Sequence, residues 1–388
     1  MPEHFRDATR CASGLLFALL AAVAAADDRA VACDLQASDA ATAGAGCAQA
    51  WMDAHLRLND LQVIGTHNSY KLPMAPDDMR ALRQRDPASA ESLDYSHRPL
   101  AEQLDRGVRG LELDVHYDPQ GGRYTHPSLP PAQRRAMATP GFKTMHLSDI
   151  DDQSHCQPFA QCLRQVRDWS QAHPRHVPIL ILINAKDGAT APGAVQPLPF
   201  DAVAFAALDA EIRAVFPSGT LIEPRTLQGA HPSLRHAARA DAWPTLGEAR
   251  GRVLFALDEG PAKVARYLDA HGEDASPVMF VNARDESVDE AAYLTLNEPL
   301  QQADRIAAAV AAGALIRTRA DAETREARSG DGARRDAAFA SGAHVVSTDY
   351  IDPDPRFGRY RVQLPGGGVA RCNPQRAPAR CAGLAIEE

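Results

Sequence analysis

A run of Val, Ile and Leu residues at 177–184 constrains the fold more than any other stretch of this sequence. A strand that is apolar on both faces needs cover on both sides, which is typical of a parallel sheet between helices. Strand patterns recur from residue 60 onward and are separated by helical patterns. The predicted strands cover residues 60–67, 107–116, 144–147, 177–184, 252–258, 278–283, 314–318 and 344–348.

Helical segments are predicted between these strands. The helix at 99–106 starts with proline and is followed by glycine, and an amphipathic helix runs from Phe159 to just before Pro174. Further helices are predicted at 260–271 and 299–312. The alternation predicts an α/β protein, a (β/α)8 TIM barrel that forms a single domain with a loop-rich C-terminal appendage. An open doubly wound sheet is the alternative, but no Gly-x-Gly-x-x-Gly follows a strand.

The N-terminus has the pattern of a signal peptide. An alanine-rich apolar run ends in three alanines at 24–26, which are followed by two aspartates, as at a small-residue cleavage site. The predicted organisation is a signal peptide at 1–26, an N-terminal extension at 27–59 and the barrel domain at 60–388. The protein is therefore expected to be secreted or periplasmic, with no transmembrane segment.

The net charge limits the kinds of binding partner, and the cysteine content indicates the cellular compartment. The net charge of −9 makes the chain a poor general binder of nucleic acid, and a monomer is expected. Cys11 lies in the predicted signal peptide, and the remaining six cysteines fall in close pairs. In an exported chain this predicts a disulfide framework, most simply three local bridges, although other connectivities stay open. The pairs are Cys33 with Cys47, Cys156 with Cys162, and Cys372 with Cys381.

Two carboxylates stand on one face of the strand predicted at 107–116. Strand geometry places Glu112, Asp114 and His116 together, opposite leucine and valine residues. Two carboxylates at this spacing repel and need a cation, a shared proton or a basic partner. Oxygen ligands of this kind are preferred by Ca²⁺ and Mg²⁺. An exposed edge strand that carries charges is the alternative.

The carboxyl ends of barrel strands converge on one end of the barrel, here called the mouth. The Pro- and Gly-rich stretch 118–143 is expected to overhang it. Histidines, acids and amides around one opening suit a divalent metal with acid–base catalysis, and nearby basic residues suit a phosphodiester. The residues expected there are His67, Asn68, Glu112, Asp114, His146, Asn184, Lys186, Arg317, Arg319 and Asp349.

Two motifs carry a family resemblance. Gly-Thr-His-Asn-Ser-Tyr at 65–70 and Arg-Gly-Val-Arg-Gly-Leu-Glu-Leu-Asp at 106–114 resemble the catalytic X region of calcium-dependent phosphoinositide phospholipases C, and most of all the secreted bacterial branch. The resemblance runs from about residue 61 to about residue 354. It implies a TIM-barrel phosphodiesterase that uses Ca²⁺ to cleave phosphatidylinositol-type lipids, at a membrane surface, to diacylglycerol and a cyclic or acyclic inositol phosphate.

The resemblance also implies roles for individual residues. His67 corresponds to an acid–base histidine, and Asn68, Glu112 and Asp114 correspond to Ca²⁺ ligands. The second catalytic histidine of the family follows a short third strand, which favours His146. His126, in the long loop, and His116, at the metal rim, are the alternatives.

One position departs from the family pattern. Asn184 stands where relatives place a glutamate ligand, so it is expected to be a neutral ligand that lowers Ca²⁺ affinity, with Asp187 as a possible substitute. Lys186, Arg317 and Arg319 are expected to bind substrate phosphate, and an ion-pair network is the alternative for the two arginines.

Two other functions fit part of the pattern. A glycerophosphodiester phosphodiesterase or a phospholipase D-like enzyme shares the barrel and the Glu-x-Asp motif, but usually has His-Arg where this chain has His67 and Asn68. A non-catalytic lipid- or carbohydrate-binding barrel would not need both histidines and both acids.

Overall fold

The structure is a computed structural model that describes residues 45–188, 194–271, 276–377, 381 and 384–387. Its centre is a parallel sheet in the order β6-β5-β4-β2-β1-β9-β8-β7. The strands are β1 Leu61–Thr66, β2 Val108–His116, β3 Lys143–Thr144, β4 Ile179–Ala185, β5 Val253–Leu257, β6 Met279–Val281, β7 Tyr293–Thr295, β8 Leu315–Arg319, β9 Val345–Thr348 and β10 Ala370–Cys372.

The two outer strands of this sheet meet. Just beyond β6, the backbone N–H of Ala283 donates to the carbonyl of Tyr293 in β7 at 3.1 Å. The eight parallel strands therefore form a nearly closed barrel, as predicted.

Helices cover the outside of the barrel. Residues of β2, β4 and β5 that face away from the barrel axis pack against helices in one continuous apolar core. The helices are α1 Ala45–His55, α2 Pro76–Arg85, α3 Pro87–Ser92, α4 Leu100–Asp105, α5 Pro131–Met137, α6 Phe159–Ala172, α7 Ala202–Val215, α8 Pro224–Gln228, α9 Leu234–Arg239, α10 Leu246–Ala249, α11 Pro261–Asp269, α12 Pro299–Ala311, α13 Arg325–Ser329 and α14 Ala333–Ala340.

The strand predicted at 144–147 is not a barrel strand. It is shortened to β3, which pairs antiparallel with the end of β2, Val115 opposite Thr144. The eighth barrel strand is instead β7, whose three residues are too few to show a strand pattern in the sequence. The prediction of eight barrel strands was right in number and wrong in this one member.

Two glycines, Gly65 in β1 and Gly110 in β2, leave room for the side chain of Val345 in β9. A Cβ atom on Gly110 would lie 2.5 Å from a methyl group of Val345, and one on Gly65 would lie 2.8 Å from the same methyl group. The Val345 side chain fills the space that both glycines leave. Any larger residue at either glycine would displace a central strand.

The C-terminal segment packs at the end of the barrel where the strands begin. Strand β10 pairs antiparallel with the first residues of β1. Glu387 binds the buried guanidinium of Arg109, and Arg109 Nε donates to Glu387 Oε2 at 3.1 Å. Glu387 Oε2 also accepts the backbone N–H of Val177 at 2.7 Å. This end of the barrel is therefore closed by the tail, far along the strands from the mouth.

Two of the three predicted disulfides are present among the described residues, Cys156–Cys162 and Cys372–Cys381. Cys47 is also disulfide-bonded. Its predicted partner Cys33 lies outside the described residues, as does the predicted signal peptide at 1–26. Within the described part of the chain, the search for a helix long and apolar enough to span a membrane found none.

Candidate active site

The turn after β1 presents His67 at the mouth. The backbone N–H of His67 donates to the carbonyl of Thr348 in β9, and Asn68 takes a left-handed conformation with φ of 49°. Asparagine tolerates this conformation better than most residues. The His67 ring is thereby directed across the mouth, with a fifth of its side chain exposed.

Asp349, which follows β9, orients the His67 ring. The distance between His67 Nδ1 and Asp349 Oδ1 is 2.8 Å, and the other carboxylate oxygen accepts from Arg319 at 3.0 Å. Burial, and next the charge of Arg319, hold the pKa of His67 well below its usual value. The ring is therefore neutral, with the Nδ1 proton on the Asp349 side and a free lone pair on Nε2.

A second aspartate stands behind Asp349. Oδ1 of Asp321 accepts the backbone N–H of Asp349 at 2.8 Å. Burial, and then the charge of Asp349, raise the pKa of Asp321 to about 7. Burial also raises the pKa of Asp349, and the charge of Arg319 opposes that shift.

Two tyrosines fix the orientation of the Asn68 amide. Asn68 Nδ2 donates to the Tyr95 hydroxyl at 2.8 Å, and the Tyr70 hydroxyl donates to Asn68 Oδ1 at 3.3 Å. All three side chains are buried. The amide oxygen is thus held on the side away from Tyr95.

Glu112 and Asp114 point into the barrel at the mouth, as the strand pattern predicted. Oε2 of Glu112 accepts from Arg317 at 2.5 Å, and Oε1 accepts from the Asn184 amide at 3.3 Å. Lys186 Nζ lies 2.9 Å from Asp114 Oδ2. Asp114 is fully buried, yet neither of its oxygens accepts a well-aligned hydrogen bond from the described residues. In this structure the ammonium group of Lys186 is the cation that stabilises the buried Asp114 carboxylate.

The candidate ligands suit a hard divalent cation. Asn68, Glu112, Asp114 and Asn184 offer carboxylate and amide oxygens, the donors that Ca²⁺ prefers. No cluster of three or more His, Cys, Asp or Glu side chains with the arrangement of a metal site occurs in the described part of the chain. This candidate set contains only two carboxylates, since its other members are amides. Asp187, the alternative ligand, is engaged elsewhere, because it binds Lys263 and the backbone of Phe200.

The candidates for the second histidine differ in their surroundings. His146 Nδ1 lies 2.9 Å from Asp151 Oδ2, and the charge of His146 is among those that act on His67. His126 pairs with Asp152 at 2.5 Å from within the long loop, which contains helix α5. His116 is buried against the carbonyl of Met145, and burial lowers its pKa to about 3. His116 therefore stays neutral inside the barrel wall.

The predicted phosphate-binding residues form ion pairs with carboxylates in this structure. Arg317 is buried between Glu112, Asn297 and Ser347, while Arg319 binds Asp349 and Lys186 contacts Asp114. Their contact with substrate stays a prediction.

A polar groove adjoins the ligand candidates at the ends of β4 to β7. Asp258 and Asn282 form its floor, with Asn282 Nδ2 donating to Asp258 Oδ1 at 3.0 Å. Burial raises the pKa of Asp258 to about 6. The groove has a volume of about 450 Å³ and opens beside Asn184.

Several residues of the site escaped the sequence analysis. Tyr95, Asp151 and Asp258 carry no motif, and the loops that bring the first two to the mouth show no strand or helix pattern. Two of the missed residues had a visible signal. Lys71 directly follows the first motif, and a lysine beside buried residues needs an acidic partner. Asp258 is the last residue of the strand predicted at 252–258, and barrel geometry places such a residue at the mouth.

Comparisons with known proteins assign the chain to a family. The family model "Phosphoinositide phospholipase C, Ca2+-dependent" matches residues 56–374. A search of curated protein sequences found no match.

Solved structures of a Pseudomonas enzyme share the fold. The calcium-dependent phosphoinositol-specific phospholipase C from a Gram-negative bacterium, Pseudomonas sp, in a myo-inositol complex, is 17% identical with a TM-score of 0.52, covering 82% of this chain and 95% of that chain. The apo form of the same enzyme in crystal form 1 is 18% identical to this chain, with a TM-score of 0.52, and the match covers 83% of this chain and 96% of that chain. A Ca²⁺-dependent phosphatidylinositol-specific phospholipase C from Streptomyces antibioticus is 21% identical over 76% of this chain and 95% of that chain, with a TM-score of 0.45. Because the family model spans most of its length, this chain belongs to the Ca²⁺-dependent phosphoinositide phospholipases C, which are phosphoric diester hydrolases.

Proposed function

We propose that this enzyme cleaves phosphatidylinositol-type lipids to diacylglycerol and an inositol phosphate, with His67 and His146 as its acid–base pair. One observation carries the proposal. Each histidine is held through Nδ1 by a buried aspartate, Asp349 or Asp151, and His67 Nε2 lies 3.8 Å from Oε1 of Glu112. An oriented base of this kind is the requirement for activating a hydroxyl nucleophile.

His67 is suited to start the reaction. Its neutral ring accepts the proton of the inositol 2-hydroxyl at Nε2 as the hydroxyl oxygen attacks the phosphorus, and Asp349 stabilises the imidazolium that forms. His146 then donates a proton to the departing diacylglycerol oxygen. The attacking and leaving oxygens both belong to the substrate, so the first product is a cyclic phosphodiester, and attack by water then gives the acyclic phosphate.

Ca²⁺ is proposed as the cofactor, held by Asn68, Glu112, Asp114 and Asn184. When bound, it would lower the pKa of the attacking hydroxyl and balance charge on the phosphate oxygens. Lys186 and Arg317 would share the same carboxylates and face the phosphate. In the structure Lys186 pairs with Asp114 and Arg317 pairs with Glu112.

The polar groove is proposed to bind the inositol ring. Carboxylate and amide groups such as those of Asp258 and Asn282 pair well with neighbouring hydroxyls, and the groove opens directly beside Asn184.

The same proposal covers the whole molecule. We propose that the enzyme acts as a monomer on lipid at a membrane surface, after export to the periplasm or the medium. The division into a signal peptide at 1–26, an extension at 27–59 and the barrel domain at 60–388 belongs to the same proposal.

A substrate panel tests the proposal. Vesicles of phosphatidylinositol or phosphatidylcholine, and soluble glycerophosphocholine, are each incubated with the enzyme in Ca²⁺ and in EDTA. Hydrolysis of phosphatidylinositol alone, in Ca²⁺ alone, is expected. Preferred cleavage of glycerophosphocholine would favour a glycerophosphodiester phosphodiesterase, and no cleavage of any substrate would favour a binding protein.

A further inference from the structure

We propose that Lys71 is a positioning residue for the second catalytic histidine, acting through Asp151. The inference rests on the proposed role of His146. No motif or comparison assigns a role to this lysine.

The contacts of Asp151 place it between two basic groups. Its Oδ1 accepts from Lys71 Nζ at 2.5 Å, and its Oδ2 lies 2.9 Å from His146 Nδ1. With both oxygens occupied, the carboxylate cannot rotate without losing one partner. The His146 ring therefore takes its orientation from a carboxylate that Lys71 holds.

Burial makes this arrangement costly to break. The side chains of Lys71 and Asp151 are both fully buried. Burial opposes ionisation of Asp151, but the hydrogen bond to His146 and the charge of Lys71 outweigh it and keep its pKa below the usual value. An ammonium group in such a place is retained only with a close acidic partner.

Lys71 also touches the support of the first histidine. Its Nζ lies 5.2 Å from the centre of the Tyr95 ring, in cation–π range. The Tyr95 hydroxyl lies 3.1 Å from His67 Nδ1. The same ammonium thus contacts one residue beside each histidine.

Backbone pairing explains how Lys71 contacts residues beside both histidines. Residues 70–72 run alongside residues 153–155, with His155 N–H donating to the Tyr70 carbonyl at 2.9 Å and Leu72 N–H donating to the Gln153 carbonyl at 3.3 Å. This pairing docks the loop after β3 onto the turn after β1. The Cys156–Cys162 disulfide lies at the far end of that loop.

Charges around His146 set the expected sign of a pH effect. Asp151 contacts His146 and Lys71 contacts Asp151, while His146 interacts electrostatically with the rings of His67 and His116. Removing the Lys71 charge leaves Asp151 free to stabilise the imidazolium form of His146 more strongly. The pH limb of kcat that reports His146 should then move to higher pH.

Lys71→Met is the test, with phosphatidylinositol vesicles in saturating Ca²⁺. We expect kcat to fall by about 10- to 100-fold through misplacement of His146, an unchanged KM, and an upward shift of that pH limb. Lys71→Arg, which keeps the charge, should recover part of kcat. Lys143→Met is the matched control, because Lys143 is equally buried but pairs with Asp118 at 3.1 Å, whereas Lys71 pairs with Asp151. It should lower thermal stability and leave the pH profile in place.

A double variant keeps the test valid if Lys71→Met does not fold. Lys71→Met with Asp151→Asn leaves no unpaired buried charge, and it should have the same kcat as Asp151→Asn alone, because Lys71 acts through Asp151. Additive losses, or an unmoved pH profile in a folded Lys71→Met protein, would overturn the inference. His146→Ala separates the two proposals. If that variant stays active, the proposed catalytic role of His146 fails, whereas an inactive His146→Ala beside a normal Lys71→Met rejects only the inference about Lys71.

Discussion

At the scale of single residues, the proposed Ca²⁺ ligands differ in charge. In the proposed site Glu112 and Asp114 would supply the negative charge, and Asn184 would supply a neutral amide in place of the glutamate that the family resemblance implies. Ligand charge tunes Ca²⁺ affinity over several orders of magnitude, and extracellular sites work at about 10⁻⁴–10⁻³ M. An exported enzyme can therefore use a weak site.

Asn184→Glu should lower the Ca²⁺ concentration for half-maximal activity by about tenfold, because it adds a ligand charge. Asp114→Asn should nearly abolish activity throughout the millimolar range. Calcium-dependence curves of the two variants measure both effects. An unchanged curve for Asn184→Glu would mean that residue 184 does not face the metal.

Alanine substitutions can show whether His146 or His126 is the second catalytic histidine. Alanine at His146 should lower kcat by about 10²–10⁴-fold, the usual loss for one acid–base group, while His126→Ala should have a mild effect. Steady-state kinetics on both variants decide between them. The reverse order of damage would assign the second catalytic role to His126.

At the scale of elements, the sequence patterns predicted the long strands that carry the candidate site. They missed the short strands and the loops whose positions depend on tertiary contacts. β2 and β4 are long and apolar on their outer faces, so their ends and their acid and amide residues could be predicted. β7 has three residues, and β3 is held antiparallel to β2 by its partner alone. Tyr95 and Asp151 reach the mouth on loops, whose paths depend on contacts with distant segments.

The tail at the opposite end of the barrel should affect stability and not catalysis. Glu387 is the acidic partner of the buried Arg109 guanidinium, which also stacks on Trp169 at 4.6 Å. Removing one partner of a buried pair costs about 3–5 kcal/mol. Glu387→Ala should therefore lower the free energy of unfolding in urea by about that amount, with kcat unchanged. Equal stability of the variant would show that the contact contributes nothing.

At the scale of the whole molecule, buried histidines make stability depend on pH. Burial lowers the pKa of His116 and His344 to about 3 and that of His97 and His176 to about 4. Between these values and the unfolded value of about 6.5, the unfolded chain binds more protons. The stability that these neutral rings contribute is therefore complete above about pH 6.5 and is lost as the pH falls.

His344 offers a direct check, because it lies at the end of the barrel away from the mouth. Its Nδ1 accepts from the backbone of Ile316 at 2.9 Å, and its Nε2 lies 2.9 Å from the carbonyl of Asn59. His344→Gln, which cannot titrate, should flatten the fall in unfolding free energy between pH 6.5 and pH 4.5 by up to about 1.4 kcal/mol per pH unit. Urea unfolding at several pH values measures the slope, and an unchanged slope would contradict the assignment.

The central claim is that two oriented histidines and a Ca²⁺ site make this barrel an inositol-phospholipid phosphodiesterase. Phosphorus NMR of the products from phosphatidylinositol, followed with time in Ca²⁺ and in EDTA, tests it most directly. We expect a cyclic inositol phosphodiester as the first new signal, formed in Ca²⁺ and absent both in EDTA and with His67→Ala. Cleavage that persists in EDTA, or phosphatidic acid as the product, would contradict it.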